Sequence, residues 1–351
     1  MTRLSTLLAA LLALSLTAQA QLLIPVSQER EAFSFAEGDN LYIFLSDSDS
    51  TSAPDFAPFS ASSSAAIEQP GEVRVDCGSS MNSEIFPDGI HADASCFGNS
   101  EISGGDLWIV GGAGSALVSV DFQVPAALRY ELSGSVLGLD SGCVRSSLRE
   151  VGGAFLFSID TLIDGSGSVS ESGLLTPGVT YRFSIIGNGG TALESFGSDF
   201  GDAIFDVEFN LTALVENYCT AAPNSVGAGA VLGNTGSLSV VANDFGLEAT
   251  GAIPGGTGLF YYGSNRIQVP FADGFRCVGG MTFRLQPPVQ ANGTGTTTRS
   301  IDFNASPTGG GGAGAILPDS SWNFQLWYRD TTGPGGTGSN LSDGLSVRFS
   351  R

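Results

Sequence analysis

The chain has no lysine and a single histidine. All 14 of its cationic side chains are arginine, so phosphate-loop NTPases, kinase-type nucleotide sites and Schiff-base enzymes are excluded together. With His91 alone, two-histidine zinc sites and clusters of several imidazoles are excluded as well. Positive charge is scarce overall: 35 Asp and Glu give the 351 residues a formal net charge of −21. Such a surface repels phosphate backbones, so nucleic acid is not an expected partner. Past the first twenty residues no long hydrophobic run occurs, and no transmembrane segment is expected. A sustained 3.6-residue apolar period is missing too, which argues against a helical fold.

The one apolar run, Leu7 to Leu16, follows Arg3 and precedes small residues at Ala18 and Ala20. That order is a secretory leader, and cleavage after Ala20 is expected. Ten residues at 1.5 Å rise cover about half of a ~30 Å hydrocarbon core, so a membrane-spanning helix is not the reading. No cysteine precedes Cys77 to carry a lipid, and the last residues, 345 to 351, hold no anchoring helix. A secreted, extracellular protein is expected.

Five cysteines follow the leader: Cys77, Cys96, Cys143, Cys219 and Cys277. In an exported protein most should pair, and the odd number leaves one over. Sequence does not fix the connectivity. Sharing one domain favours Cys219 with Cys277, and closing that loop restricts the unfolded chain by roughly 4 kcal/mol. Proximity favours Cys77 with Cys96 and leaves Cys143 free, although Cys143 with either of them stays open.

A step in charge divides the chain. Residues 21 to 216 hold 28 acidic side chains against 6 arginines, whereas residues 217 to 351 hold 7 of each. Two domains, 21–216 and 217–351, follow the leader at 1–20.

Both carry strand signals. Val118, Val120, Phe122 and Val124 alternate with polar neighbours, as do Phe205, Val207, Phe209 and Leu211. Similar segments run over 128–132, 155–159 and 181–185, separated by turns such as 164–168 and 175–178. The second domain offers eight short candidates, at 238–240, 245–249, 258–262, 266–269, 281–285, 300–303, 322–326 and 345–349. Glycine, at 49 of 351 residues, suits many tight turns. Half-buried strands need a second apolar layer, so the expected fold is all-β, with two antiparallel β-sandwich, jelly-roll-like domains in tandem. Loops 309–314 and 332–338 are rich in glycine, but neither leads into a helix that could cradle phosphate.

The second domain carries a recognisable set of residues: Tyr218-Cys219, Asn224-Ser225, the aromatic 258–263 segment, Cys277, the 322–330 strand and Asn340 to Asp343. Together they resemble a C-terminal β-sandwich module, of YC-x4-NS type, found on uncharacterised secreted bacterial proteins. The resemblance implies export, a β fold and a Cys219–Cys277 pair, and no reaction. Residues 21 to 216 are similar to extracellular bacterial β-sandwich domains that often precede a sorting helix, which this sequence lacks.

Candidate chemistry is sparse. His91 has Asp88 and Asp93 beside it, but no Gly-x-Ser-x-Gly elbow aims a serine at it. Asp206 and Glu208 share a strand face, with Glu131 and Asp121 as candidates across the sheet, a spacing compatible with glycoside-cleaving carboxylates. Polar strand faces also carry such residues merely to stay hydrated. No cofactor is expected. Calcium is the one ion the composition suits, at Asp47 with Asp49 or Asp199 with Asp202, two short loops with paired carboxylates.

In the 322–329 strand, Trp322, Phe324, Leu326 and Tyr328 should face the core. Trp327 then falls opposite, with Asn323, Gln325 and Arg329. A Trp among amides makes a platform for a sugar ring, and Tyr262, of the Tyr261-Tyr262 pair, is expected to join it. Asn-x-Ser/Thr matches at Asn210, Asn292, Asn304 and Asn340 add little. The reading is a secreted, non-catalytic binding or structural protein that contacts extracellular polysaccharide or a cell-surface component. The alternative is an extracellular polysaccharide hydrolase or lyase that uses carboxylates of the first domain.

Overall fold

A computed structural model describes residues 21–40, 42–104 and 107–351. The expected leader lies outside the described residues. The chain is all-β and antiparallel, and it divides into two compact units with the boundary between Thr212 and Ala213. The only helix among the described residues is a four-residue turn, α1 (Thr161–Asp164).

Twelve strands build the first unit. They are β1 (Ile24–Asp39), β2 (Phe44–Ser52), β3 (Phe59–Gln69), β4 (Val73–Phe86), β5 (Gly89–Ile102), β6 (Ile109–Gln123), β7 (Leu128–Asp140), β8 (Cys143–Glu150), β9 (Phe155–Asp160), β10 (Gly167–Leu175), β11 (Thr180–Leu193) and β12 (Gly197–Ala213). One sheet has the order β2-β1-β6-β11-β8-β9 and the other β10-β7-β12-β5-β4-β3. The alternation read at 118–124 and 205–211 is the inward row of each sheet: Val118, Val120, Phe122, Phe205, Val207 and Phe209 are all buried. Phe209 stacks on Phe183 at 4.9 Å between ring centroids and meets Phe122 edge-on at 5.7 Å. Edge strand β9 departs from its expected alternation. A bulge shifts its pairing between Leu148 and Arg149, and Phe155 lies exposed under the Arg149 guanidinium.

Glycines set the spacing of these sheets. A methyl group added to Gly114 would lie 1.8 Å from the Gly78 carbonyl oxygen, and one on Gly98 would lie 2.4 Å from the Gly189 oxygen. Here the layers touch backbone to backbone, far closer than the ~10 Å of side-chain-filled sheets. The pinch separates the aromatic core from a smaller cluster around Trp108, Val75, Ile67 and Cys77. Beside it, hydroxyls replace hydrocarbon: Ser63 Oγ lies 2.6 Å from Ser34 Oγ and 2.9 Å from Ser79 Oγ, all three buried.

The second unit contains β13 (Val215–Tyr218), β14 (Val231–Thr235), β15 (Gly246–Thr250), β16 (Thr257–Phe271), β17 (Gly274–Arg284), β18 (Val289–Gln290), β19 (Thr297–Ser300), β20 (Ser321–Arg329), β21 (Ser339–Leu341) and β22 (Gly344–Arg348). Its main sheet runs β13-β22-β20-β16-β17, with β18 on β16 and β21 on β20; a second sheet is β14-β15-β19. Between them lies a core of Phe245, Phe260, Phe324, Phe349, Tyr262 and Trp322 with smaller residues. The candidates at 258–262 and 266–269 are one long strand. The candidate at 238–240 is a turn that makes one bridge, Ser239 to Ser350.

The cysteines differ in part from expectation. Cys219 and Cys277 form a disulfide, while Cys77 and Cys96 are separate buried thiols and Cys143 is also free. Cys77 and Cys96 sit on paired strands but out of register, Cys77 opposite Gly98 and Cys96 opposite Ser79. Diagonal neighbours stand about 7 Å apart, too far for a bridge. Burial pushes the Cys77 thiol up to about 11 and Cys96 up to about 12, which leaves both unreactive.

The pinch makes a sharp prediction. Gly114→Ala should destabilise the protein by about 3 kcal/mol or more, because the obstacle is backbone and cannot swing away. Gly233→Ala, where φ is ordinary and a methyl group meets nothing within 4 Å, is the control for an unhindered methyl group. Urea unfolding of both variants measures the difference.

Candidate functional site

In the second unit the outer face of the main sheet is roofed over part of its area. Register places Trp327 beside Leu259, Gln325 beside Tyr261, and Tyr261 beside Arg284. These side chains therefore share the face opposite the core. The β16–β17 hairpin loses its register twice, between Gly263 and Asn265 and between Arg266 and Val269. Such bulges bend a ribbon. Gln325 holds its far half against the sheet, with Nε2 donating to Phe275 O at 2.8 Å and to Ser342 O at 2.7 Å. Its Oε1 accepts from Cys277 N at 2.9 Å and from the Tyr261 hydroxyl. The Cys219–Cys277 bond and the Tyr218 hydroxyl, which donates to Cys277 O at 2.8 Å, fix the same segment.

The result is a cleft of about 490 Å³, well inside the range of small-ligand sites. Trp327, Tyr261 and Leu259 form an apolar floor with Thr282 and Arg284, and Phe271 and Arg276 stand as the wall. Arg329 lies over the Trp327 ring, its guanidinium carbon 4.9 Å from the centroid. Arg276 spends its Nε on Val278 O at 2.8 Å, which orients the guanidinium.

Of the residues singled out in the sequence, Trp327 lines this cleft and three do not. Tyr262 is fully buried and donates its hydroxyl to Gly314 O at 2.6 Å. It belongs to the core, and Tyr261, one residue away and of opposite phase, takes its place. Gln325 and Asn323 share the Trp327 face as expected, but the hairpin covers them. At 0 % and 4 % exposure neither meets a ligand. Arg276, Arg284 and Phe271 carried no sequence signal, because their common site exists only once the hairpin folds back.

The acidic pairs in the first unit are not loops. Asp47 and Asp49 lie on β2, where their carboxylates accept Ala66 N at 2.9 Å and Ser64 N at 3.2 Å, backbone donors on edge strand β3. Asp199 and Asp202 are three apart on β12, an odd spacing that sends them to opposite faces. Asp199 Oδ2 accepts Ala192 N at 3.0 Å and the Thr191 hydroxyl at 3.1 Å. Among the described residues, no group of three or more Asp, Glu, His or Cys converges to hold a metal.

Asp206 and Glu208 face solvent in the row β12-β5-β4, opposite Asp93 and His91. Asp121 is not across that sheet. It lies on β6 in the other sheet, paired twice with Arg182 at 2.6 and 2.9 Å, which holds its carboxyl below the usual range. Glu131 is engaged by Arg129 at 3.0 Å. His91 has Nε2 3.2 Å from Asp93 Oδ1 and Nδ1 2.9 Å from Glu208 Oε1. Partial burial favours the neutral ring, but the Asp93 hydrogen bond and the Glu208 charge outweigh it and raise the imidazole pKa.

No family model matches the chain, and no curated protein matches it. Among solved structures, a β-glucuronidase of Bacteroides uniformis superposes over 67 % of this chain at 12 % identity, with TM-scores of 0.17 covalently bound to cyclophellitol-6-carboxylate aziridine and 0.18 in a second structure. This chain spans 26 % of that enzyme's length. At such scores the likeness carries no weight for fold or function.

The raised His91 pKa has a testable sign. The folded state holds the proton more tightly, so this stabilisation is complete below the ordinary value of 6.5 and is lost as pH rises through the higher folded value. As the only imidazole of the untagged chain, His91 should give one titrating NMR resonance with a midpoint above 6.5. His91→Gln should abolish the matching loss of stability over that pH window, and an equal loss in the variant would place its origin elsewhere.

Proposed function

We propose that this is an exported, non-catalytic binding protein whose C-terminal unit takes a carbohydrate chain into the cleft floored by Trp327 and Tyr261. The observation that carries the reading is the cleft itself: an apolar aromatic floor beside two guanidinium groups. A sugar ring presents a flat C–H face that suits an indole, and hydroxyls that accept from arginine. Arg276 and Arg284 also favour glycans that bear carboxylates, since guanidinium pairs with them in a planar fork. The N-terminal leader expected from the sequence supplies the extracellular setting. The acidic first unit contributes solubility.

Affinity electrophoresis and calorimetry with polygalacturonate and with a neutral β-glucan test the reading. Binding should be retained without release of reducing ends, and Trp327→Ala should weaken it about ten-fold or more, corresponding to at least ~1.4 kcal/mol. Arg284→Ala should weaken the acidic polymer more than the neutral one, and added salt should narrow the gap. Binding of neither polymer would refute the reading. Product release abolished by Glu208→Gln would replace it with hydrolysis or elimination by the first unit.

A further inference from the structure

We propose that Asp273 and Asp330 hold one divalent cation, calcium by its ligand chemistry, which ties the tip of the β16–β17 hairpin to the loop 331–338. Asp330 follows the last residue of β20 and is 1 % exposed. Its Oδ2 accepts Ser225 N at 2.9 Å, while its Oδ1 is buried without a hydrogen-bond partner. Asp273 sits in the turn between β16 and β17. Its Oδ1 accepts Thr337 N at 3.0 Å, and its Oδ2 is likewise buried and unpartnered.

Both carboxylates close on one glycine. A methyl group added to Gly333 would lie 2.4 Å from Asp273 Oδ2 and 2.9 Å from Asp330 Oδ2, and one on Gly335 would lie 2.5 Å from Asp273 Oδ1. Side chains are thus excluded where the acids converge. Among the described residues no ion pair reaches either acid. Two carboxylates brought together with an oxygen each out of reach of any donor, and no counter-charge, repel each other.

A cation relieves both at once. Calcium accepts carboxylate oxygens at 2.3–2.6 Å in irregular geometry and completes its shell with water. Magnesium demands a stricter octahedron and keeps more of its water. Because Phe271 of the cleft wall is two residues from Asp273, the ion would also set the position of that wall. The site uses residues outside the cleft floor and stands whether or not the carbohydrate reading does.

The test is calorimetric, on the full chain freed of metal with chelator. Calcium chloride should bind and should raise the melting transition by about 5 °C or more at saturation. Asp273→Asn and Asp330→Asn should each remove that shift, while Asp199→Asn should leave it. Asp273→Asn is the decisive variant if Asp330→Asn fails to fold, because its amide oxygen still accepts Thr337 N. A transition indifferent to calcium and chelator, or a calcium shift that persists in Asp273→Asn, overturns the site. So does stability that rises on acidification with no metal effect, since a shared proton would then do the work of the ion.

Discussion

A strand shows alternate side chains to opposite faces of its sheet, so a sheet that buries one face must still dispose of the other. Both units solve the first half alike, with an apolar row from each of two layers. They differ in the second half. In the first unit the outer faces remain open and are tiled with ion pairs, such as Arg182 with Asp121 and Arg145 with Asp160. In the second unit the chain folds its own hairpin over the outer face. What the hairpin leaves uncovered, between Trp327, Tyr261 and Phe271, is a concave apolar surface, and concavity is what binding requires.

That hairpin stays down because Gln325 answers it with both ends of its amide while the disulfide clamps the same strand. Several of the polar residues singled out in the second unit's sequence belong to the same scaffold. Asn224 donates to Gly251 O, Asn340 donates to Pro223 O, and Asp343 accepts Leu232 N and Asn217 Nδ2, all of them buried or nearly so. Buried polar groups are retained when fully partnered, since losing one partner strands the other. Residues engaged in this way serve the fold and say little about chemistry.

The strong alternation at 118–124, 205–211 and 322–328 was readable because large apolar side chains fill the inward positions there. Strands β1 to β5 escaped the same reading for a physical reason. Near the pinch the inward positions hold Ser34, Ser63, Ser79 and Gly98, so the layers meet through backbone and hydroxyls and the apolar period is interrupted there. The cleft was half legible. Trp327 declared itself by its polar neighbours, yet the choice between Tyr261 and Tyr262 turns on which strand pairs with β20, a long-range fact. The pairing of Cys77 with Cys96 failed on register, which proximity in sequence does not reveal.

The distribution of arginine then separates the two surfaces. In a chain without lysine every positive contact must be an arginine, and in the first unit Arg74, Arg145 and Arg182 are matched by neighbouring carboxylates. Even the acids offered as metal ligands, Asp47 and Asp49, are spent on the edge strand β3, whose free backbone N–H groups they accept. Arg276 and Arg284 instead face an aromatic cleft, where the low-dielectric floor strengthens whatever charge they meet. A strongly acidic molecule that places guanidinium groups on its concave apolar surface has the means to draw an anionic ligand to that surface and to repel it elsewhere.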